Sequence, residues 1–375
     1  MDAVELTKKL VEIESVSGNE EKIAKFVYDF LKDNGFNPKL VYTEKNRPNV
    51  VCSVGSGKPK LLLNGHIDTV PSAEGWTKSP TKPVIENGKL FGLGALDQKS
   101  GIAIMLMQLL RLKNKKFRGT VTFTGVMDEE LISLGTYDLI QKKIINKDFG
   151  AALFSEPGVI AGDGLFIVNS IKGRYAFNVK VHGKSGHGSQ RKGVNAIVDA
   201  AKIIEAVDKL KTKKHPVMGS GVTCVCKIGG GTEFFFIPDY CEFMVHRSTV
   251  EGEDKEYCYK QLQDLVKSLK LKSRIEIEFY KRPNPFLDAC MVNENEKIVS
   301  LAKSAFKKFG IKPELKNSDS VFDMNYTVSL CKIPSINIGP NGDNIHTADE
   351  YVNVDEIKTV EKIYTEIIDN FFGVS

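Results

Sequence analysis

The sequence predicts an α/β protein with a second, self-contained unit inserted into it. Two observations lead there. Short, continuous apolar runs alternate with amphipathic stretches in the N-terminal part and reappear near the C-terminus, the pattern of strands buried on both faces. Between them the pattern changes to the strict alternation of half-exposed strands, in an order of its own.

In SGNEEKIAKFVYDFLKDNGF, Ser17 and Glu20 form a capping-box pattern, Ile23, Phe26, Val27, Phe30 and Leu31 recur at helical spacing, and Gly35 supplies a stop. An amphipathic helix is expected here. Residues 50–54, 60–64, 120–126, 151–154 and 335–338 are expected as strands, separated by helical segments such as 101–113. In the middle of the chain Tyr175, Phe177, Val179 and Val181 alternate as a strand, and residues 195–210 read as a helix. Residues 221–228 and 240–247 read as strands, 253–269 as a helix, and 274–280 as a last strand with Ile275, Ile277 and Phe279 on one face. That β-α-β-β-α-β order is the split βαβ or ferredoxin-like pattern. A unit of about 110 residues lies within ordinary domain size. The expected division is 1–172 and 284–375 for the α/β domain and 173–283 for the insert, with KGR at 172–174 and RPNP at 282–285 as hinges.

Bulk properties narrow the functional classes. A chain of 375 residues that is 42% hydrophobic can bury a sizeable core and favours two domains over one. The net charge of +5 comes from lysines and acids interleaved throughout, so no basic stripe suits a phosphate backbone and nucleic-acid binding is not expected. The start, MDAVELTKKL, lacks the apolar core of a signal peptide. The longest apolar stretch, 102–110, falls short of the roughly 20 residues that cross a bilayer. Neither export nor membrane insertion is expected, and seven cysteines without CxxC spacing suit free thiols in a reducing cytoplasm. Cys224 and Cys226 are expected to serve packing rather than metal binding.

The chemistry-bearing residues recur at strand ends. LLLNGHIDTVP places His66 and Asp68 after one apolar run, TVTFTGVMDEE places Glu129 and Glu130 after another, AALFSEPG places Glu156 after a third, and PSINIGPNGDNIHTADE leads to His346. GLGALDQKSG sets Asp97 among glycines ahead of a helix. In open α/β sheets, ligands bind outside the carboxyl ends of the strands, where such residues converge. Each motif alone has an ordinary reading: a solvated turn for HxD, a helix N-terminus for the paired glutamates, a strand end for Glu156, a surface position for His346. Those readings explain poorly why all occur at the ends of successive strands. Were Asp68, Asp97, Glu129, Glu130 and Glu156 to share a crevice, each like-charge pair about 4 Å apart would cost about 4 kcal/mol at an effective dielectric of 20. Cations are therefore required. Imidazole and carboxylate donors without thiolates suit zinc, with cobalt or manganese as substitutes. The economical arrangement is two metals about 3.5 to 4 Å apart, bridged by a carboxylate.

The ordered set GHIDTVP, GLGALDQKSG, MDEE, SEP, KGR, GKSGHGS with GVNAI, GGGT with IPD, and NIHTADEYV resembles the M20 family of metallopeptidases and deacylases along nearly the whole chain. The resemblance implies a zinc-exopeptidase-like catalytic domain with an inserted ferredoxin-like lid and dimerisation domain. It implies two zinc ions, one on His66 and Glu156, the other on Glu130 and His346, with Asp97 bridging and the Asp97–Gln98 bond cis. Asp68 would orient His66. Glu129 would be the general base. His187 would reach across a homodimer, formed through the lid, to stabilise the oxyanion, and Arg247 would bind a substrate carboxylate. Without the resemblance, His187 reads as an exposed loop-tip histidine. The chain departs from the family in lacking a proline between His187 and GVNAI and in carrying Glu233 followed by Phe234, Phe235 and Phe236.

SEP and KGR are closer to the acetylornithine deacetylase and succinyl-diaminopimelate desuccinylase branch. The resemblance thus implies a cytoplasmic di-zinc amidohydrolase of amino-acid biosynthesis that removes an acetyl or succinyl group from an N-acyl amino acid. A metallo-exopeptidase or dipeptidase of the same family is one alternative. A non-catalytic, metal-stabilised binding protein is another, which Glu129 opposes, because a structural site closes its coordination and has no use for a base.

Overall fold

The computed structural model describes residues 1–158, 164–190, 192–231 and 234–374. The chain forms two compact units, one of Met1–Ser170, Met291–Ser318 and Phe322–Ser375, the other of Ile171–Cys290 with Asp319–Val321.

The larger unit is built on a mixed sheet. Its order from one edge runs Lys39–Glu44, Arg47–Ser56, Gly119–Val126, Lys60–His66, Ala151–Phe154, Ser335–Asn337 and Ile167–Ile171. The centre is parallel: Lys60–His66 lies between Gly119–Val126 and Ala151–Phe154, and Ser335–Asn337 continues in the same direction. These are the leucine-, valine- and alanine-rich runs, and Leu61, Leu62, Leu63, Val121, Phe123 and Leu153 are fully buried. Ser100–Leu112 is buried nearly all round, as its apolar sequence requires. The long helix Val354–Phe372 turns Ile357, Val360, Ile363, Tyr364 and Ile367 inward at helical spacing.

One local expectation is corrected. The helix runs from Glu21 to Asp33 and stops at Gly35 (φ +76°), but Ser17 and Glu20 do not cap it: Glu20 occupies the N-cap position without a side-chain cap bond. Both side chains are drawn elsewhere, Ser17 to Asp68 and Glu20 to Arg47. A half-buried guanidinium that binds both carboxylate oxygens competes better for a carboxylate than a solvated helix end.

The second unit is a four-stranded antiparallel sheet in the order Val222–Gly230, Tyr240–Thr249, Gly173–His182, Arg274–Phe279. Ala196–Asp208 and Lys255–Ser268 pack on one face, joining Phe177, Val179, Val181, Ile203, Phe243, Val245 and Leu262 in a core of their own. Asn195 and Asp254 cap the two helices through Val198 N–H and Tyr257 N–H. The order of these elements is β-α-β-β-α-β. The segment after the last strand stays with this unit, since Arg174 N–H donates to Leu287 O at 3.0 Å and Tyr175 Oη to Asp288. The expectation that Cys224 and Cys226 serve packing is overturned. Both are exposed free thiols, because they alternate onto the sheet face away from the helices, while Thr223 Oγ1 donates to Val207 O and Val225 packs on the core. No described helix is long and apolar enough to cross a membrane.

Candidate metal centre

Strand register brings the acidic motifs together. His66 is level with Val126 on one neighbour, and Asn64 is level with Phe154 on the other. The residues just past each strand end therefore emerge at one edge: His66 and Asp68, then Glu129 and Glu130, then Glu156. Asp68 ties two of these segments together, its Oδ1 accepting from Glu129 N–H at 3.2 Å and its Oδ2 from Glu130 N–H at 3.3 Å.

Asp97 comes from a loop that a buried carboxylate shapes. Glu350 accepts from the amides of Gly94 (2.8 Å), Leu96 (2.9 Å) and Asp97 (3.0 Å). Gly94 adopts φ +73°, and a Cβ there would stand 2.5 Å from Thr69 Cγ2, so only glycine fits. The Asp97–Gln98 peptide is cis, and Gln98 Nε2 donates to Glu156 Oε1.

Asp97 then lies between two imidazoles. Its Oδ1 is 2.9 Å from His66 Nε2, and its Oδ2 is 3.4 Å from His346 Nε2. His66 Nε2 also stands 3.6 Å from Glu156 Oε2, and His346 Nε2 stands 3.0 Å from Glu130 Oε2. Ligand atoms of His66, Asp97 and Glu130 all fall within 4.8 Å of one another. Two pairs, His66 with Glu156 and Glu130 with His346, thus flank one carboxylate. His66 Nδ1 donates to the Asp68 carbonyl at 2.9 Å, with the Asp68 carboxylate 3.6 Å away. That bond fixes the proton on Nδ1 and turns the Nε2 lone pair toward Asp97.

The electrostatics of this nest all ask for positive charge. Burial pushes the Glu156 carboxyl up to about 8 against the pull of His66, and it pushes Asp323 up to about 7. Burial and the Glu156 charge raise Glu129 well above the carboxylate range, and burial raises Glu130 in spite of its hydrogen bond to His346. Burial opposes a charge on His66, yet Glu156, Asp68 and Asp97 outweigh it and hold the imidazole well above its ordinary value. Hydrogen bonds to Asp97 and Glu130 carry His346 up to about 10. Asp97 moves the other way, because the bonds from His346 and His66 overcome its burial and favour its anion.

The donor set therefore fits divalent cations. A neutral imidazole lone pair and a carboxylate oxygen 2.9 Å apart are both acceptors and need a cation or a proton between them. Glu130 Oε1 is buried without a hydrogen-bond partner among the described residues, an acceptor waiting for something positive.

The structure thus gathers His66, Asp68, Asp97, Glu129, Glu130, Glu156 and His346 in the larger unit. It also adds carboxylates that strand-end reasoning passed over. Asp323, buried and accepting from Thr136 Oγ1 at 2.8 Å, faces the same charges, and Glu350 shapes the Asp97 loop. Glu350 was within reach of the NIHTADEYV motif, whereas Asp323 follows no apolar run that would have marked it.

His187 and Arg247 belong to the second unit. His187 is exposed on a loop stitched to the phenylalanine segment by Gly188 N–H to Phe235 O (2.9 Å) and Ile237 N–H to Gly186 O (2.7 Å). Its Nδ1 accepts from Ser189 N–H at 3.4 Å and contacts Ser189 Oγ at 2.8 Å, which leaves the proton on the outward Nε2. Phe235 is 91% exposed, while Glu233 lies outside the described residues. Arg247 is buried, with Nη2 donating to Glu253 and with Nε and Nη1 lacking partners among the described residues.

Residues 62–370 match the model of peptidase family M20/M25/M40. Among solved structures, the chain resembles a tripeptidase from Staphylococcus aureus subsp. aureus Mu50, with 22% identity, a TM-score of 0.82 and coverage of 98% of this chain and 97% of the other. It resembles aminopeptidase PepT from Bacillus cereus ATCC 10987 at 23% identity and a TM-score of 0.79, over 98% of this chain and 97% of that one. A dinuclear metal-binding peptidase of the M20 family from Bacillus subtilis matches at 16% identity and a TM-score of 0.76, over 100% of this chain and 98% of the other.

Proposed function

The chain belongs to peptidase family M20/M25/M40, and from that membership we propose that it is a two-cation amidohydrolase that splits an amide bond in a small substrate. The observation that carries this reading is the Asp97 carboxylate set between two imidazole–carboxylate pairs. His66 and Glu156 would hold one cation, Glu130 and His346 the other, with Asp97 shared. The donors suit zinc, with cobalt or manganese able to replace it. When bound, the cations supply Lewis acidity, which acidifies a water and polarises an amide carbonyl.

The chain's own residues supply the rest. Glu129 takes the proton of the attacking water on its carboxylate and delivers it to the nitrogen of the leaving amine. Burial, which raises the affinity of Glu129 for a proton, suits it to both transfers. Asp68 holds Glu129 and Glu130 by their amides, and its carbonyl fixes the tautomer of His66. His187, with its Nε2 proton outward, would donate to the developing oxyanion from the partner subunit of a homodimer formed through the second unit. Arg247 would offer Nε and Nη1 to a substrate carboxylate.

The substrate we favour is an N-acyl amino acid that loses an acetyl or succinyl group, a reading supported by SEP and KGR. An exopeptidase acting on short peptides is the second reading, favoured by the likeness to a tripeptidase and to PepT. Assays of amine release from N-acetyl and N-succinyl amino acids, dipeptides and tripeptides, each with zinc, cobalt and manganese, separate the two. The first reading expects faster release from an N-acyl amino acid and loss of turnover on chelation. Faster peptide cleavage selects the second, and no hydrolysis of any substrate with any metal contradicts both. The non-catalytic alternative leaves Glu129 without a purpose.

Acting in trans, His187 can be tested by subunit mixing. Chains carrying His187→Ala and chains carrying Glu129→Gln should each be nearly inactive, and a mixed dimer, with one of its two sites intact, should regain up to about half of wild-type activity, or about a quarter for a randomly exchanged equimolar mixture. Absence of recovery in verified mixed dimers would remove His187 from the partner's site.

A further inference from the structure

The segment Ser17–Glu20 looks like a helix cap in the sequence, yet neither polar side chain touches the helix that follows. Both act on the turn that carries the base. Ser17 Oγ donates to Asp68 Oδ2 at 2.7 Å, and Asp68 receives the amides of Glu129 and Glu130. Glu20, fully buried, accepts from Gly18 N–H at 2.8 Å and takes Arg47 through Nε (2.9 Å) and Nη2 (2.6 Å). The same Nη2 reaches Asp128 Oδ1 at 2.5 Å. Asp128 precedes Glu129 and adopts φ +69°, a left-handed conformation uncommon for L residues though tolerated by aspartate.

We propose that Ser17, Glu20 and Arg47 are positioning residues that grip the Asp128–Glu129–Glu130 turn from both ends and set the reach of the Glu129 carboxylate. The inference rests on the reading of Glu129 as the base. One arm runs Ser17, Asp68, Glu129 amide; the other runs Glu20, Arg47, Asp128. Both start within four residues of each other, so the short 17–20 segment acts as a common anchor. The geometry suits an arginine at position 47: its planar fork holds both oxygens of Glu20 through Nε and Nη2 while Nη2 also reaches Asp128 and Nη1 reaches Glu44, a fixed spread of donors that a lysine ammonium does not reproduce. Proton transfer depends steeply on placement, so a loosened turn lowers the chemical step more than substrate binding.

The test compares Ser17→Ala, Ser17→Thr, Arg47→Lys and Glu129→Gln in the metal-loaded protein, reading kcat, KM, metal content and melting temperature. Ser17→Ala and Arg47→Lys should each lose on the order of tenfold in kcat, with KM within about twofold and with metal content and melting temperature close to wild type. Ser17→Thr, which keeps the hydroxyl, should recover most of the loss. If Ser17→Ala and Arg47→Lys turn over like wild type while Glu129→Gln is inactive, the positioning role is overturned and the base stands. A fall in kcat matched by lost metal or lost thermal stability also overturns it, since the contacts would then be merely structural. Retained turnover in Glu129→Gln would instead overturn the reading of the base.

Discussion

Glu129→Gln is expected to lower kcat by about 10²- to 10⁴-fold, the usual contribution of a positioned proton-transfer group, while the protein keeps its cations and its fold. Glutamine preserves the shape of the side chain and leaves the Glu129 backbone N–H on Asp68, so the turn is undisturbed. It removes one thing, the ability to take up a proton and release it. Because Glu129 belongs to neither imidazole–carboxylate pair, metal content measured by elemental analysis should match wild type. KM should change little, since a base acts in the transition state rather than in binding. Unchanged hydrolysis in this variant would refute the assignment and direct attention to Asp323, a carboxyl beside the same charges that burial pushes up to about 7.

Asp97→Asn should be as severe for a different reason: metal affinity should fall by more than about a hundredfold, beyond what loss of a merely supporting residue costs. Asparagine retains the size of the side chain and the backbone bond to Glu350. It replaces one carboxylate oxygen with an amide nitrogen and removes the charge that both imidazoles share, leaving the pairs His66–Glu156 and Glu130–His346 to hold the cations without a shared carboxylate. Zinc titration against a competing chelator, with circular dichroism as the control for folding, measures the effect. Wild-type affinity in a folded variant would show that Asp97 is not the shared ligand.

Much of this was legible from residue order because the physics is local. Apolar runs such as Leu61–Leu63 can only be buried, and the polar residues that interrupt them must emerge at the sheet edge, which is where His66, Glu129, Glu130 and Glu156 are found. The ferredoxin-like order of the insert was readable for the same reason, since Phe177, Val179 and Val181 alternate with polar residues along a strand covered on one face by helices.

What escaped the sequence was side-chain choice among competing partners. Ser17 and Glu20 fit a capping box by spacing, but spacing carries no information about Arg47, on a strand, and Asp68, just past the end of another, which win those groups. Asp323 was missed because its approach to the site depends on tertiary packing against Thr136 rather than on any pattern around it. Arg247, which the resemblance assigns to a substrate carboxylate, shows the same limit: nothing in the local pattern indicates that Glu253, six residues on, claims one of its nitrogens. The two exposed cysteines were misread because a short apolar segment does not tell which face of its strand the helices will cover.

Crystals of the protein grown with zinc, measured on both sides of the zinc absorption edge, test the central claim most directly. Two anomalous peaks should appear, one bounded by His66 and Glu156 and one by Glu130 and His346, with Asp97 touching both. Well-ordered crystals with zinc elsewhere and none among these side chains would contradict the account.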